Sequence, residues 1–143
     1  MKSTASATWE GGLKDGKGRV TAASGTFSDT PYTFERRFEK NTGVGTTPEE
    51  LVAAAHSSCF AMALSADLGK AGFKPTRLSV QATVTLEPVD GKPTVSSSAL
   101  ELEAEVPGID DAKFQEIAAG VKANCPISRL LKTNVTLTAK LAR

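Results

Sequence analysis

The chain has 143 residues, 40% of them hydrophobic and 6% aromatic, with a formal net charge of +1. That length holds one compact core and falls short of two ordinary domains, so residues 1–143 are expected to form a single domain. The near-neutral charge and ordinary apolar fraction exclude a disordered, collagenous or strongly polyanion-binding chain, and no nucleic-acid partner is expected.

The opening residues, Met1-Lys2-Ser3-Thr4-Ala5-Ser6, lack the apolar stretch of a secretory signal. No run reaches the roughly 18 uninterrupted apolar residues of a membrane span. The expectation is a cytoplasmic protein with no membrane partner. Two cysteines in a reducing compartment are poor candidates for a permanent staple, which leaves inert thiols, a metal site or redox chemistry.

Short β-prone pieces broken by glycine come first: Ala5 to Trp9, Arg19 to Ala23 and Tyr32 to Phe38, read as an antiparallel meander. A loop follows from Asn41 to Thr46. Thr47-Pro48-Glu49-Glu50 then combines a capping threonine, a proline at the first helical position and a glutamate three residues past the cap, so Glu50 is expected to complete a capping box.

The segment Leu51 to Ala71 is apolar on nearly every side and stops at Gly72, so its helix is expected to be buried all round. Counted from Pro48 it runs about 36 Å, close to the full width of a domain this size. Sheets from one chain would struggle to cover it. A homodimer with helices packed at its centre is therefore expected.

Leu78-Val80-Ala82-Val84-Leu86 and Leu100-Leu102-Ala104-Val106 alternate cleanly on either side of a turn rich in proline and glycine. Asp110 can cap an amphipathic helix carrying Phe114, Ile117, Ala118 and Val121, ended by Asn124-Cys125-Pro126, and Val135-Leu137-Ala139-Leu141 reads as a last strand. The class is α+β, in the order β-β-β-α-β-β-α-β.

Cys59 interrupts the long apolar helix, and Cys125 lies at a helix end before Pro126, where partial access is expected. With one histidine, two distant cysteines and no Cys-x-x-Cys, no metal site is expected. His56 precedes Cys59 by one helical turn and could serve as the base of a Cys-His thiol hydrolase, but no acidic orienter stands at helical spacing from it. A core histidine with satisfied hydrogen bonds is the preferred reading.

Redox work by Cys59 needs a thiolate, and an ordinary thiol is mostly protonated at neutral pH. The helix dipole fades within a turn of the terminus, so a cation must come from another element. Arginine suits best, from Arg19, Arg36 or Arg37; strand alternation would send Arg36 and Arg37 to opposite faces. A buried arginine needs an anion, and with Glu50 in the capping box Glu49 is the freer.

The stretch from Thr47 to Phe60, with Gly72-Phe73, Val106-Pro107-Gly108-Ile109 and Asn124-Cys125-Pro126-Ile127-Ser128, strongly resembles the OsmC/Ohr family of osmotically inducible and organic hydroperoxide resistance proteins. Trp9-Glu10-Gly11 and Arg37-Phe38-Glu39 extend the resemblance over essentially the whole chain, and His56 points to the OsmC branch.

The resemblance implies an intertwined homodimer, with two long central helices covered by sheets and active sites at the subunit interface. It implies reduction of organic hydroperoxides, and more weakly hydrogen peroxide, in oxidative or osmotic stress. Carried over by position, Cys59 is the peroxidatic cysteine, Cys125 the resolving one, Arg37 the activating arginine and Glu49 the acidic residue after the proline, with Arg19 as the fallback arginine. An external dithiol, a dihydrolipoyl group in the family, would recycle the disulfide, and no cofactor is expected. Phe38, Phe60, Met62, Pro126 and Ile127 are candidates to line a pocket for an organic tail. The alternative reading is a redox-sensing or ligand-binding dimer without turnover.

Overall fold

The computed structural model describes residues 1–40 and 42–142, so the first residue of the expected Asn41 to Thr46 loop lies outside the described residues. The chain divides into two compact units, Met1–Leu51 and Val52–Arg143.

In the first unit β1 (Ala5–Glu10), β2 (Lys17–Ala22) and β3 (Thr30–Tyr32) form an antiparallel sheet in that order. Gly18 faces Tyr32 across the β2–β3 register, and a Cβ at that position would collide with the tyrosine ring. Glycine therefore lets the ring lie flat on β2. Trp9 packs beside it at 5.5 Å between ring centroids, and the Tyr32 hydroxyl donates to the Thr8 carbonyl at 3.0 Å.

The third strand is shorter than expected. Thr33 leaves the sheet and caps α1 (Phe34–Phe38), its Oγ1 accepting from the Arg36 amide at 3.2 Å. Phe34 and Phe38 then meet one turn apart, with centroids 5.0 Å apart. Local capping and this pair override the β-propensity of the aromatics. Arg36 and Arg37 therefore stand on adjacent sides of a helix rather than on opposite faces of a strand.

The helix α2 (Pro48–Lys70) begins where the cap was expected, with the Glu50 amide donating to Thr47 Oγ1 at 3.1 Å. The Glu50 carboxylate departs from the capping-box reading: it accepts from Thr46 Oγ1 at 2.7 Å and faces Arg36 Nη2 at 3.8 Å. At the far end the Phe73 amide donates to Leu68 O at 2.9 Å and Gly72 to Gly69 O at 3.0 Å, with Gly72 at φ 87°. This is a Schellman ending in which Phe73 packs on the core.

In the second unit α2 buries one stripe rather than its whole circumference. His56, Phe60, Leu64 and Leu68, four residues apart in turn, are each fully buried. Ala54, Ala55 and Ala66 are exposed, and Met62 is 77% exposed. By length and composition α2 is also long and apolar enough to cross a membrane, but its buried stripe belongs to a protein core.

Beneath that stripe β4 (Arg77–Val89), β5 (Lys92–Glu105) and β6 (Asn134–Leu141) form the second sheet. The β4–β5 turn is only Asp90-Gly91, both at positive φ of 50° and 75°, so the strands run farther than the alternation suggested. β6 pairs with β5 in parallel, Ser98 opposite Val135. The crossover carries α3 (Asp111–Asn124), capped by Asp110, and a second short helix, α4 (Pro126–Leu130). The core joins Phe60, Leu64 and Leu68 to Leu100, Leu102, Phe114, Ala118 and Val121. The class is α+β as expected, with two short helices more than the expected order.

Candidate active site around Cys59 and Cys125

Asn124-Cys125-Pro126 shapes one half of the site. Pro126 cannot continue α3, so the chain turns extended at Cys125 (φ −61°, ψ 143°), which ends α3 and caps α4. The Ser128 amide points back at Cys125 Sγ at 3.4 Å and the Ser128 hydroxyl lies 3.0 Å from it. Cys125 is only 2% exposed, more buried than its position at a helix end suggested.

Cys59 supplies the other half from the middle of α2, half-buried and packed against the same core. It packs against the core cluster that contains Cys125 and lies near enough to Cys125 and the Ile127 amide for both to bear on its titration; both cysteines are free thiols. Burial pushes the Cys59 thiol above its ordinary range and the neighbouring Cys125 adds to the rise, while the Ile127 amide works the other way. The second unit by itself thus brings the two cysteines into one core while disfavouring the thiolate of Cys59.

His56, one turn before Cys59, is fully buried, and its ring nitrogens are both engaged: Nδ1 lies 2.6 Å from Ser98 Oγ on β5 and Nε2 lies 2.8 Å from Ser128 Oγ on α4. Burial lowers its proton affinity. With neither nitrogen bonded to Cys59, the hydrolase arrangement is not formed. Ser98 and Ser128 were not expected from the sequence. A polar serine breaking the apolar alternation of β5, and one three residues after Cys125, were the available signals.

Arg37 and Glu49 lie in the first unit. Arg37 Nη2 donates to Glu49 Oε1 at 2.8 Å, and Nε donates to Oε1 at 3.2 Å and Oε2 at 3.3 Å. The Glu49 side chain is 11% exposed and that of Arg37 36%. The guanidinium carbon lies 5.1 Å from the centre of the Phe38 ring. Beside it opens a cavity of about 270 Å³, walled mainly by Trp9, Leu13, Tyr32, Phe34 and Phe38, with Arg37 at its edge. Arg36 turns elsewhere, donating to the Gly43 carbonyl at 2.7 Å, and Arg19 donates to the Asp29 carbonyl at 3.2 Å. Of the expected pocket residues Phe38 lines this cavity, whereas Phe60 is fully buried in the core of the second unit and Met62 points into solvent.

Fold and site together define an α+β dithiol protein in which two cysteines remote in sequence become neighbours. A family model described as OsmC-like protein matches residues 40–140, and the chain belongs to that family. It is 47% identical over 135 residues to the peroxiredoxin OsmC of Escherichia coli (strain K12), covering 94% of this chain and 93% of the relative. It is 30% identical over 140 residues to the organic hydroperoxide resistance protein of Xanthomonas axonopodis pv. citri (strain 306), covering 97% and 94%. Among solved structures, the organic hydroperoxide resistance protein OhrB of Bacillus subtilis superposes with a TM-score of 0.68 at 25% identity, covering 97% of this chain and 98% of that one.

Proposed function

We propose that this chain is a cysteine-based peroxidase that reduces organic hydroperoxides to alcohols, and hydrogen peroxide more weakly, in cytoplasmic defence against oxidative or osmotic stress. The observation that carries the reading is the meeting of Cys59 and Cys125 inside one unit, joined to relatives named for peroxide chemistry. Cys59 as thiolate attacks the peroxide oxygen, the O–O bond breaks, an alcohol leaves and Cys59 becomes a sulfenic acid. Cys125 closes a disulfide on it with loss of water, and an external dithiol of the dihydrolipoyl kind reopens the bond by exchange.

Since burial and the neighbouring Cys125 raise the Cys59 thiol, the scheme needs a cation, and Arg37 held by Glu49 is the assigned one. The pair leaves Arg37 Nη1 to face thiolate and peroxide while the cavity beside it takes the organic tail. Glu49 and Cys59 stand ten residues apart along α2, about 15 Å on its axis. The chain acts as one domain in a homodimer, in which either the long Arg37 side chain bridges Glu49 and Cys59 or the glutamate near each Cys59 comes from the partner subunit. Support for the dimer comes from the apolar face of α2 around Met62, which is left uncovered in the single chain.

The test is turnover of cumene hydroperoxide with a dithiol present. Rapid catalytic consumption, lost in Cys59→Ser, is expected; slow oxidation of the cysteines without turnover would favour the redox-sensing alternative.

A further inference from the structure

We propose that His56 and Ser128 form a buried proton relay that accepts the thiol proton of Cys125 as its sulfur closes the disulfide with Cys59. The proposal rests on the roles assigned above to the two cysteines.

Four side chains from three segments, α2, β5 and the Cys125-capped start of α4, are joined in a chain of contacts. Ser98 Oγ is 2.6 Å from His56 Nδ1, His56 Nε2 is 2.8 Å from Ser128 Oγ, and Ser128 Oγ is 3.0 Å from Cys125 Sγ. All four residues are buried. A histidine that merely needed its nitrogens satisfied could use any two hydroxyls; here one of those hydroxyls is itself bonded to the sulfur that must become a nucleophile. Attack by Cys125 requires its thiolate, and at 2% exposure bulk water is poorly placed to take the proton.

The inventory of hydrogens permits the required direction. Ser128 has one proton; if it donates to Nε2, its oxygen is free to accept from the thiol, and the Nδ1 hydrogen goes to Ser98. The groups facing the imidazole are Ser98 from β5, Ser128 from α4 and, beyond it, Cys125, with Cys59 one turn further along α2. Among the described residues no carboxylate or second cation bonds either ring nitrogen, so in the neutral ring the Nε2 lone pair faces Ser128; burial lowers the proton affinity of the ring, so a proton taken there is held only in passing and returned.

Cys125 Sγ attacks the sulfur of the Cys59 sulfenic acid, the S–S bond forms and the S–O bond breaks, its electron pair leaving with oxygen. The sulfenic sulfur is reduced and the thiol sulfur oxidised. The thiol proton passes to Ser128 Oγ while the Ser128 proton passes to Nε2. The departing hydroxide takes a proton from solvent and His56 later returns one, so a single water is the net product.

A single-turnover experiment on the reduced full-length protein tests this, using one equivalent of cumene hydroperoxide and mass spectrometry of quenched samples from pH 5.5 to 8.5. In Ser128→Ala and His56→Gln the rate of disulfide closure relative to sulfenate formation falls at least about tenfold. The acid limb of wild-type closure disappears in Ser128→Ala, and Ser128→Thr recovers part of the rate. A wild-type ratio and pH profile in Ser128→Ala overturn the relay, as does a slowed closure whose pH profile keeps its shape.

If the wild-type protein forms no sulfenate, the peroxidase reading fails instead. The relay is then read in Cys59→Ser, where exchange of Cys125 with 2-hydroxyethyl disulfide should slow about tenfold on adding Ser128→Ala. An unchanged exchange rate sinks it there too. Because Ser128→Ala removes a single oxygen, it tests the relay even if His56→Gln does not fold.

Discussion

Arg37 grips Glu49 through two of its nitrogens, Nη2 to Oε1 at 2.8 Å and Nε to both carboxylate oxygens at 3.2 and 3.3 Å. A fork that meets a carboxylate edge-on fixes the plane of the guanidinium, which a lysine ammonium cannot do. Arg37→Lys keeps the charge but loses the fork. Its rate of peroxide reduction should fall on the order of a hundredfold, the usual cost of removing one aimed donor from a developing oxyanion. Stopped-flow kinetics with cumene hydroperoxide measure it, and a loss below about threefold would remove Arg37 from the role given to it.

Cys125→Ser separates the two chemical steps. It should reduce one equivalent of hydroperoxide per Cys59 and then stop, with Cys59 advancing to the sulfinic state under excess peroxide. Intact-mass measurement would show a gain of two oxygens on Cys59. Sustained turnover in this variant would mean that Cys125 is not the residue that closes the disulfide.

Stability should depend on pH through His56. Burial lowers its proton affinity in the folded protein, so the unfolded chain, where the ring titrates near its ordinary value of 6.5, binds the extra proton. Stability from this group is complete above that value and declines as pH falls below it, by at most about 1.4 kcal/mol per pH unit for one proton. Urea midpoints from pH 8 to 5 should fall in the wild type more steeply than in His56→Gln.

The two faces of α2 should respond differently to substitution. Phe60 is fully buried among Leu64, Leu100 and Phe114, and Phe60→Ala should cost about 3 to 5 kcal/mol in equilibrium unfolding. Met62, 77% exposed in the single chain, should tolerate Met62→Lys as a folded protein. If the homodimer forms through this face, sedimentation should show Met62→Lys as a monomer with little peroxidase activity; an intact, active dimer would place the interface elsewhere.

Where information was local, the sequence carried it. Thr47-Pro48 starts α2, Gly72 ends it, Asp110 caps α3, and alternation marks β4 to β6, because caps and periodicity act within a few residues. Even so, two local signals competed in places. Thr33 drew Phe34–Phe38 into a helix, and Glu50 bonded Thr46 and faced Arg36 instead of returning to the cap.

The candidate residues Cys59, Cys125, Arg37 and Glu49 were legible through motif resemblance, which locates positions but not distances. Their surroundings were not legible. Nothing in the residues near His56 announces Ser98 or Ser128, which reach it from β5 and α4, and the parallel pairing of β6 depends on where the crossover lands.

The order of residues alone thus specified the two long helices and most strands of an α+β chain, the family, and which side chains have chemistry worth testing. It took the folded arrangement to establish that the two cysteines share one core, that Arg37 takes Glu49 edge-on, and that His56 is tied through Ser128 to Cys125. The physical reason is range: hydrogen-bond geometry and desolvation are set by groups that folding brings together from distant parts of the chain.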